Sequence, residues 1–554
     1  MLSRRSFVAS SLAAPGLVCA SELPSIPDKA EVLVVGAGAG GAAISWRLAS
    51  LGLNVTCLEQ GGYEDYTKSP AANPQWEVLR QREYNPDPNV RNRAEDYPID
   101  VATSDIHPLM YSAVGGSTIM WSCHAPRFHP SDFAIRTLDG VGEDWPIRYQ
   151  DLEPFYDLNE SLSGVSGLNG DPAYPHSKKP RLPPLPIGLG AEKIATALNE
   201  LGWHWWPADV QVNSIAHGTG RGICNHCGPC ELGCPLRAKG STDVTYWPEA
   251  LKLGANLITK ARVTRLISRG QHVLGAEFLD LNGQLREQRA DVVVLAGNGI
   301  GTPRLLLLSA TSDHPNGLAN SSDMVGRNLM FHPVGISTGV FGDALDGYRG
   351  VTACSIASKQ FYDTQPDNDF TRGYMLQILR SLGPVMTALG GYGVPQIWGK
   401  GHRARFDETF NRTASIAVVC EDLPEPENRV TLDPSMKDSS GLPAPKVHYR
   451  VSPNSKNMLK HGRERCEQIL TRAGAREVRH IPLLQGAGFH LMGTAGMGED
   501  PERFVTNEWG RAHDIKNLFV ADGSLFTSAA AVNPTATIQA LALRVGTHIA
   551  KSYG

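Results

Sequence analysis

The chain has 554 residues, 41% hydrophobic and 19% charged, with a formal net charge of −4. This is the balance of a globular protein with a large core, long enough for more than one domain. A slightly acidic chain argues against nucleic-acid binding and against an electrostatic membrane anchor. Beyond the first twenty residues no apolar run has the ~20 residues a bilayer span needs, so the mature chain is read without a membrane span.

In chain order, Ser3, Arg4 and Arg5 precede a short apolar run of small residues from Ala9 to Val18, with Ala20 as the expected cleavage position. Paired arginines before such a run read as a twin-arginine export signal over residues 1–20, which predicts a periplasmic or otherwise exported protein. Val32 to Val35 then enters a glycine-rich turn, Ala42 to Ser50 reads as a helix, and Leu53 to Leu58 reads as a second strand ending at Glu59. Gly36, Gly38 and Gly41 occupy the G-x-G-x-x-G positions of a dinucleotide fingerprint. They serve the tight turn, the approach of a pyrophosphate to the backbone and close helix–strand packing. Glu59 stands where an acid accepts from a ribose hydroxyl.

Gly115, Gly116, Ser117 and Thr118 form a second tight loop, offering N–H groups and hydroxyls to a phosphate or a ring edge. Asp151 is read as a helix cap. Cys224, Cys227, Cys230 and Cys234, followed by Pro235, have the C-x2-C-x2-C-x3-C-P spacing of an iron–sulfur run. Tetrahedral zinc and structural disulfides remain open as alternatives. Residues 255–279 alternate as strands, and Asp291 to Gly297 is a buried parallel-type strand, after which Thr302 and Pro303 are read as opening a helix. Asn454 to Ala473 has the apolar spacing of one amphipathic helix. His490 sits in a glycine-rich loop. Asp522 and Gly523 end a strand, and Asn533 and Pro534 open a long apolar helix whose N-terminus suits a flavin ring.

Together these stretches resemble the glucose–methanol–choline (GMC) family of flavin oxidoreductases nearly end to end. The resemblance is carried by the fingerprint from Gly36 to Glu59, the Gly115–Thr118 loop, Gly301 to Ser309, Gly326 to Leu329, His490 with Gly493 and Thr494, and Asp522–Gly523 with Asn533 to Thr535. It implies an α/β fold, α+β overall, in which a Rossmann-type FAD-binding domain (29–118, 212–335 and 515–554) interleaves with a substrate domain on a helix-backed sheet (336–514), with connecting segments at 119–211. It implies FAD held by the residues named and by Val263, Ala296 and Gly297. It also implies His490 as the base for an alcohol proton, with Asn533 orienting the oxygen. The cysteine loop is similar to that of bacterial sugar dehydrogenases of the family, which implies a [3Fe-4S] or [4Fe-4S] cluster and an external acceptor, a cytochrome or a small partner subunit. Met120 stands where the pyranose-oxidising branch has a flavin-linking histidine, so FAD is expected to be non-covalent. His226, a candidate to ligate or tune a cluster, and His332, a candidate to touch substrate, are not assigned those roles. The expected activity is oxidation of a CH–OH group of a sugar, polyol or related alcohol. An oxidase using O2 with structural cysteines, and a non-redox lyase on the same scaffold, are the alternatives.

Overall fold

The computed structural model describes residues 28–175, 180–351, 354–394 and 398–554; the export-signal reading, with Arg4, Arg5 and Cys19, lies outside the described residues. The strand Lys29–Val35 is the axis of a seven-stranded sheet, running parallel between Val55–Glu59 and Leu285–Leu295. Val32, Leu33 and Val34 are fully buried, which is why the segment reads as a continuous apolar run rather than an alternation. Asn256–Thr259 extends one side of the sheet, Leu518–Val520 joins Leu285–Leu295 in parallel, and the antiparallel strands Arg262–Arg269 and His272–Leu279 extend the other side. The helices Ala39–Ser50 and Thr535–Tyr553 pack together against this sheet and share its core.

A second, antiparallel sheet runs in the order Glu477–Ile481, Val334–Val340, Thr413–Cys420, Tyr374–Leu379, Ile356–Phe361, Trp206–Pro207. One face packs on the helices Leu189–Leu201 and Pro453–Arg472. The latter matches the predicted helix closely. Ser452 caps it by accepting from the Ser455 N–H at 3.0 Å, and Met458, Cys466, Ile469 and Leu470 are buried. The other face looks toward the first sheet. A third sheet joins Arg429–Lys437 and Pro443–Tyr449 to Asp100–Ser104, so the early connecting segment is tied into the later half of the chain.

Two local expectations are corrected. The helix Asn298–Leu308 starts before Pro303, which lies inside it. Asn298 makes the first turn by accepting from the Ile300 N–H at 2.9 Å. The carbonyl of Gly299, which a proline four residues on leaves without a donor, accepts instead from the Thr494 hydroxyl at 2.9 Å. Asp151 is not the cap itself. The helix Tyr149–Ser163 begins after Arg148, and Asp151 reaches back from the first turn to accept the Arg148 N–H at 2.8 Å.

Candidate active site

The two sheets enclose a cavity of about 370 Å3. Its floor is the fingerprint turn. A Cβ on Gly41 would stand 1.8 Å from the Gly36 carbonyl oxygen, and one on Gly36 2.6 Å from that of Ala296, so both glycines are needed for strand, helix and turn to touch. Gly38 differs, because a Cβ there meets nothing nearer than Gly116 Cα at 3.9 Å and would protrude into the cavity. The helix that starts after Gly38 has no side-chain cap and no acid in its first turn, which leaves its N–H groups and positive dipole end for an anion.

Of the predicted cofactor residues, Gly36, Gly38, Glu59, Gly116, Ser117, Thr118, Val263, Ala296, Gly297, Asp522, Gly523, Asn533, Pro534 and Thr535 line the cavity; Gly41 and Gly115 stand behind it. Glu59 is buried at its strand end and accepts from the N–H groups of Ala37 and Gly61, each at 2.8 Å. Burial pushes its carboxyl up to about 7, against the pull of those two donors. Asp522 accepts from the Asn298 N–H at 2.9 Å, the Thr302 hydroxyl at 2.6 Å and the Ser524 N–H at 2.8 Å, pinning three turns together beneath the cavity. A glycine-floored helix N-terminus with a buried acid one strand away fits a dinucleotide, and the cavity continues past it to a second group of side chains.

At that far end the structure brings His490 and Asn533 together: Asn533 Nδ2 lies 3.3 Å from His490 Nε2. The free surface of His490 faces the cavity. Burial, with His332 and His124 close by, holds its imidazole well below the ordinary histidine range. Two further residues complete the group. His332, fully buried, places Nδ1 2.7 Å from His490 Nδ1 and Nε2 2.8 Å from the Ala530 carbonyl oxygen. Gln377 Nε2 donates to Asn533 Oδ1 at 2.5 Å. The sequence offers His332 only as an unassigned candidate substrate contact and does not single out Gln377. His332 follows three residues after Leu329, the end of a stretch that carries part of the family resemblance, and this nearness is its signal in the chain. Gln377 is a single amide in an apolar strand, with nothing local to mark it.

The rest of this end is a wall from the second sheet. Ile336, Ala417 and Gln377 are in register across three strands, Val334 is opposite Val419, and all five line the cavity together with Leu379. In the next row Thr338 and Ser415 bond each other at 2.8 Å.

Behind the cavity, Cys224, Cys227, Cys230 and Cys234 all line one small void of about 20 Å3. Cys227 is exposed and the other three are half-buried. Burial and the neighbouring thiols push Cys224 up to about 11, against the His226 N–H that it accepts at 3.4 Å. Buried Lys239 ties the loop to the cavity wall, donating to the carbonyls of Ile119 at 2.5 Å and Cys230 at 2.7 Å. Cys123 lines the main cavity and packs with Cys224 and Cys230. The nine described cysteines are free thiols, which removes disulfides among them. No three His, Cys, Asp or Glu side chains among the described residues are placed to hold a metal ion. The run therefore supplies the donor chemistry of a cluster without a ligand cage.

Residues 192–334 and 424–542 match family models described as GMC oxidoreductase. The chain is 41% identical over 535 residues to 2-methyl-1,2-propanediol dehydrogenase of Mycolicibacterium austroafricanum, covering 95% of this chain and 96% of the relative. The chain belongs to the GMC oxidoreductase family. As a member it is an FAD-dependent oxidoreductase acting on CH–OH donors. It is also 30% identical to the fructose dehydrogenase large subunit of Gluconobacter japonicus, over 93% of this chain and 96% of that one. Among solved structures, pyridoxine 4-oxidase from Mesorbium loti shares the fold, with a TM-score of 0.64 at 18% identity over 94% of this chain and 99% of that one.

Proposed function

We propose that this enzyme is a dehydrogenase of a small, largely aliphatic alcohol or diol. His490 takes the hydroxyl proton at Nε2, and the Asn533 amide holds the oxygen. FAD, held at the fingerprint without a covalent link at Met120, supplies the hydride acceptor. Alcohol oxidation needs a neutral base within hydrogen-bond reach of the hydroxyl. Burial keeps His490 neutral at working pH, and an asparagine can donate to the oxygen but cannot accept its proton.

The observation that carries the substrate class is the wall beside this pair. It presents side chains of Val334, Ile336, Leu379, Ala417 and Val419, and its one amide, Gln377, is already engaged with Asn533. A hydroxyl buried there unpaired costs about 1–3 kcal/mol, so two such hydroxyls on a sugar amount to roughly 30-fold or more in specificity. The name of the relative at 41% identity points the same way.

The four thiols that line one void are the donors a [3Fe-4S] or [4Fe-4S] cluster would need, and a cluster held there would pass electrons on to an external acceptor; Cys224 and Cys230 pack in the same apolar cluster as Cys123, which lines the cavity. The exported location rests on Arg4 and Arg5 before the apolar run.

The test is turnover with dichlorophenolindophenol as acceptor, comparing 2-methyl-1,2-propanediol and 1-butanol with glucose and fructose. Peroxide and protein-bound iron are measured in the same preparation. The expected result is kcat/KM for the aliphatic alcohols at least about 30-fold above the hexoses, with dye reduction outpacing peroxide and with iron bound. A hexose preference refutes the substrate class. Peroxide formed as fast as dye is reduced refutes the dehydrogenase reading, and protein without iron refutes the cluster.

A further inference from the structure

With His332 neutral, the ring-nitrogen contacts of the two histidines allow one arrangement of hydrogens. The Ala530 carbonyl can only accept, so the nitrogen 2.8 Å from it, His332 Nε2, carries a hydrogen. His332 is fully buried, and burial holds its imidazole down to about 4. The titratable groups facing this pair are His124, whose Nδ1 lies 3.3 Å from the Cys354 thiol, and no carboxylate among the described residues acts on either ring. His332 is therefore neutral, and its Nδ1 carries a lone pair. The 2.7 Å contact from that lone pair to His490 Nδ1 requires the hydrogen on His490 Nδ1. Neutral His490 then has Nε2 bare, at the atom where Asn533 Nδ2 approaches to 3.3 Å. The far side of Asn533 is fixed in the same sense, because Gln377 donates to its oxygen and turns its NH2 toward His490.

We propose that His332 and Gln377 are positioning residues that give the His490–Asn533 pair its polarity. His332 holds His490 in the tautomer with a bare Nε2, and Gln377 holds Asn533 with its donor inward. Hydrogens are thus directed along one line, from Gln377 through Asn533 to His490, and from His490 through His332 to the Ala530 carbonyl. Without the Nδ1 acceptor, only the longer 3.3 Å contact from Asn533 is left to favour the hydrogen on the far nitrogen of His490. A base in the wrong tautomer presents an N–H where a lone pair is needed, which in a catalytic triad lowers kcat by about 10⁴-fold. This inference rests on His490 being the base. It adds that the base is oriented by a second histidine, in the place where a carboxylate would serve in a triad.

The test is the tautomer of His490, read in the holoenzyme labelled with [15N]histidine. Two-bond 1H–15N correlations distinguish protonated from bare ring nitrogens, and His490→Gln identifies the signals. The expected result is a protonated Nδ1 and a bare Nε2 in the native enzyme at pH 7. In His332→Leu the His490 signals shift to a tautomer mixture. In His332→Gln, whose amide can accept from His490 and donate to Ala530, the native pattern returns. With 2-methyl-1,2-propanediol, His332→Leu loses between tenfold and 10⁴-fold in kcat/KM and gains a solvent isotope effect, while His332→Gln recovers to within about fivefold. Gln377→Met, which leaves both histidines intact, loses at least about fivefold in kcat with unchanged flavin content.

A native His490 with its hydrogen on Nε2 overturns the proposal, and this reading needs neither a variant nor a substrate. Equal loss in His332→Leu and His332→Gln with the native tautomer kept in both also overturns it, since that is the mark of packing alone. Retained turnover in His490→Gln removes the base reading while leaving the tautomer measurement to stand or fall by itself.

Discussion

Among the fingerprint glycines, Gly38 and Gly41 separate binding from folding. At Gly38 the backbone has φ −76° and ψ −152°, which alanine adopts without strain, and the added Cβ finds its nearest protein atom at 3.9 Å. Two small terms act on stability. Alanine restricts the unfolded chain, worth about 0.4–1 kcal/mol in favour of the fold, and it is a poorer helix cap than glycine by a similar amount. The apoprotein of Gly38→Ala should therefore melt close to the native apoprotein. The methyl, however, stands in the cavity at the helix N-terminus. Crowding a fitted ligand by one methyl costs about 1–3 kcal/mol, so FAD should bind roughly 5- to 150-fold more weakly. Gly41→Ala is the contrast, because its Cβ would stand 1.8 Å from the Gly36 carbonyl, where only a backbone shift makes room. That variant should lose both thermal stability and flavin. Apoprotein melting by circular dichroism and FAD titration by flavin fluorescence quenching read the two effects separately. Native FAD affinity in Gly38→Ala, or an apoprotein melting as low as that of Gly41→Ala, would refute the assignment of Gly38 to the cofactor approach.

The base should remain active into acid. His490 is held below the ordinary histidine value, so its proton-accepting form persists as pH falls, and kcat/KM should stay level down through pH 6.5 and decline only below it; an acid limb centred at or above 6.5 contradicts the reading. Arg372 is buried among Asp132, Asp139 and Glu421 at 2.6, 2.9 and 2.9 Å. Arg372→Met should cost about 3–5 kcal/mol, seen as a lower urea midpoint. Asp132 is already pushed up to about 7 by burial with Arg372 opposing, so removing the arginine raises it further, and lowering the pH from 8 to 6 should restore part of the loss by protonating it. A variant equally unstable at both values would place the cost elsewhere.

What could be read from the chain follows the range over which each feature is determined. The cofactor cradle is local. A strand, three glycines at fixed spacing, a helix and an acid lie within some thirty residues, and covalent geometry does most of the placing. His490 and Asn533 were legible because each sits in a motif. Gln377 was not, and the reason is its strand. Tyr374 to Gln377 are all buried, so the segment lacks the apolar–polar alternation that would show which face looks where. Register settles it, since Gln377 is paired with Ala417 and that residue with Ile336, putting all three on the cavity side, while Leu376 and Ile378 pack toward the helices. The same register creates the apolar wall, so the expectation of a sugar, polyol or related alcohol had nothing in the sequence to steer it toward an aliphatic one. Pro303 shows a different limit. Its position as a helix opener is the usual outcome, and the exception depends on a hydroxyl from Thr494, nearly two hundred residues away, taking the carbonyl the proline cannot serve. The cysteines show a third. Spacing can say that four thiols share a loop, but convergence on one metal depends on rotamers and on a backbone that sets His226 at φ +59° and Gly228 at φ +109° between them. His490 and Asn533 each sit in a motif, whereas their contacts with Gln377 and His332 arise only where four distant segments meet.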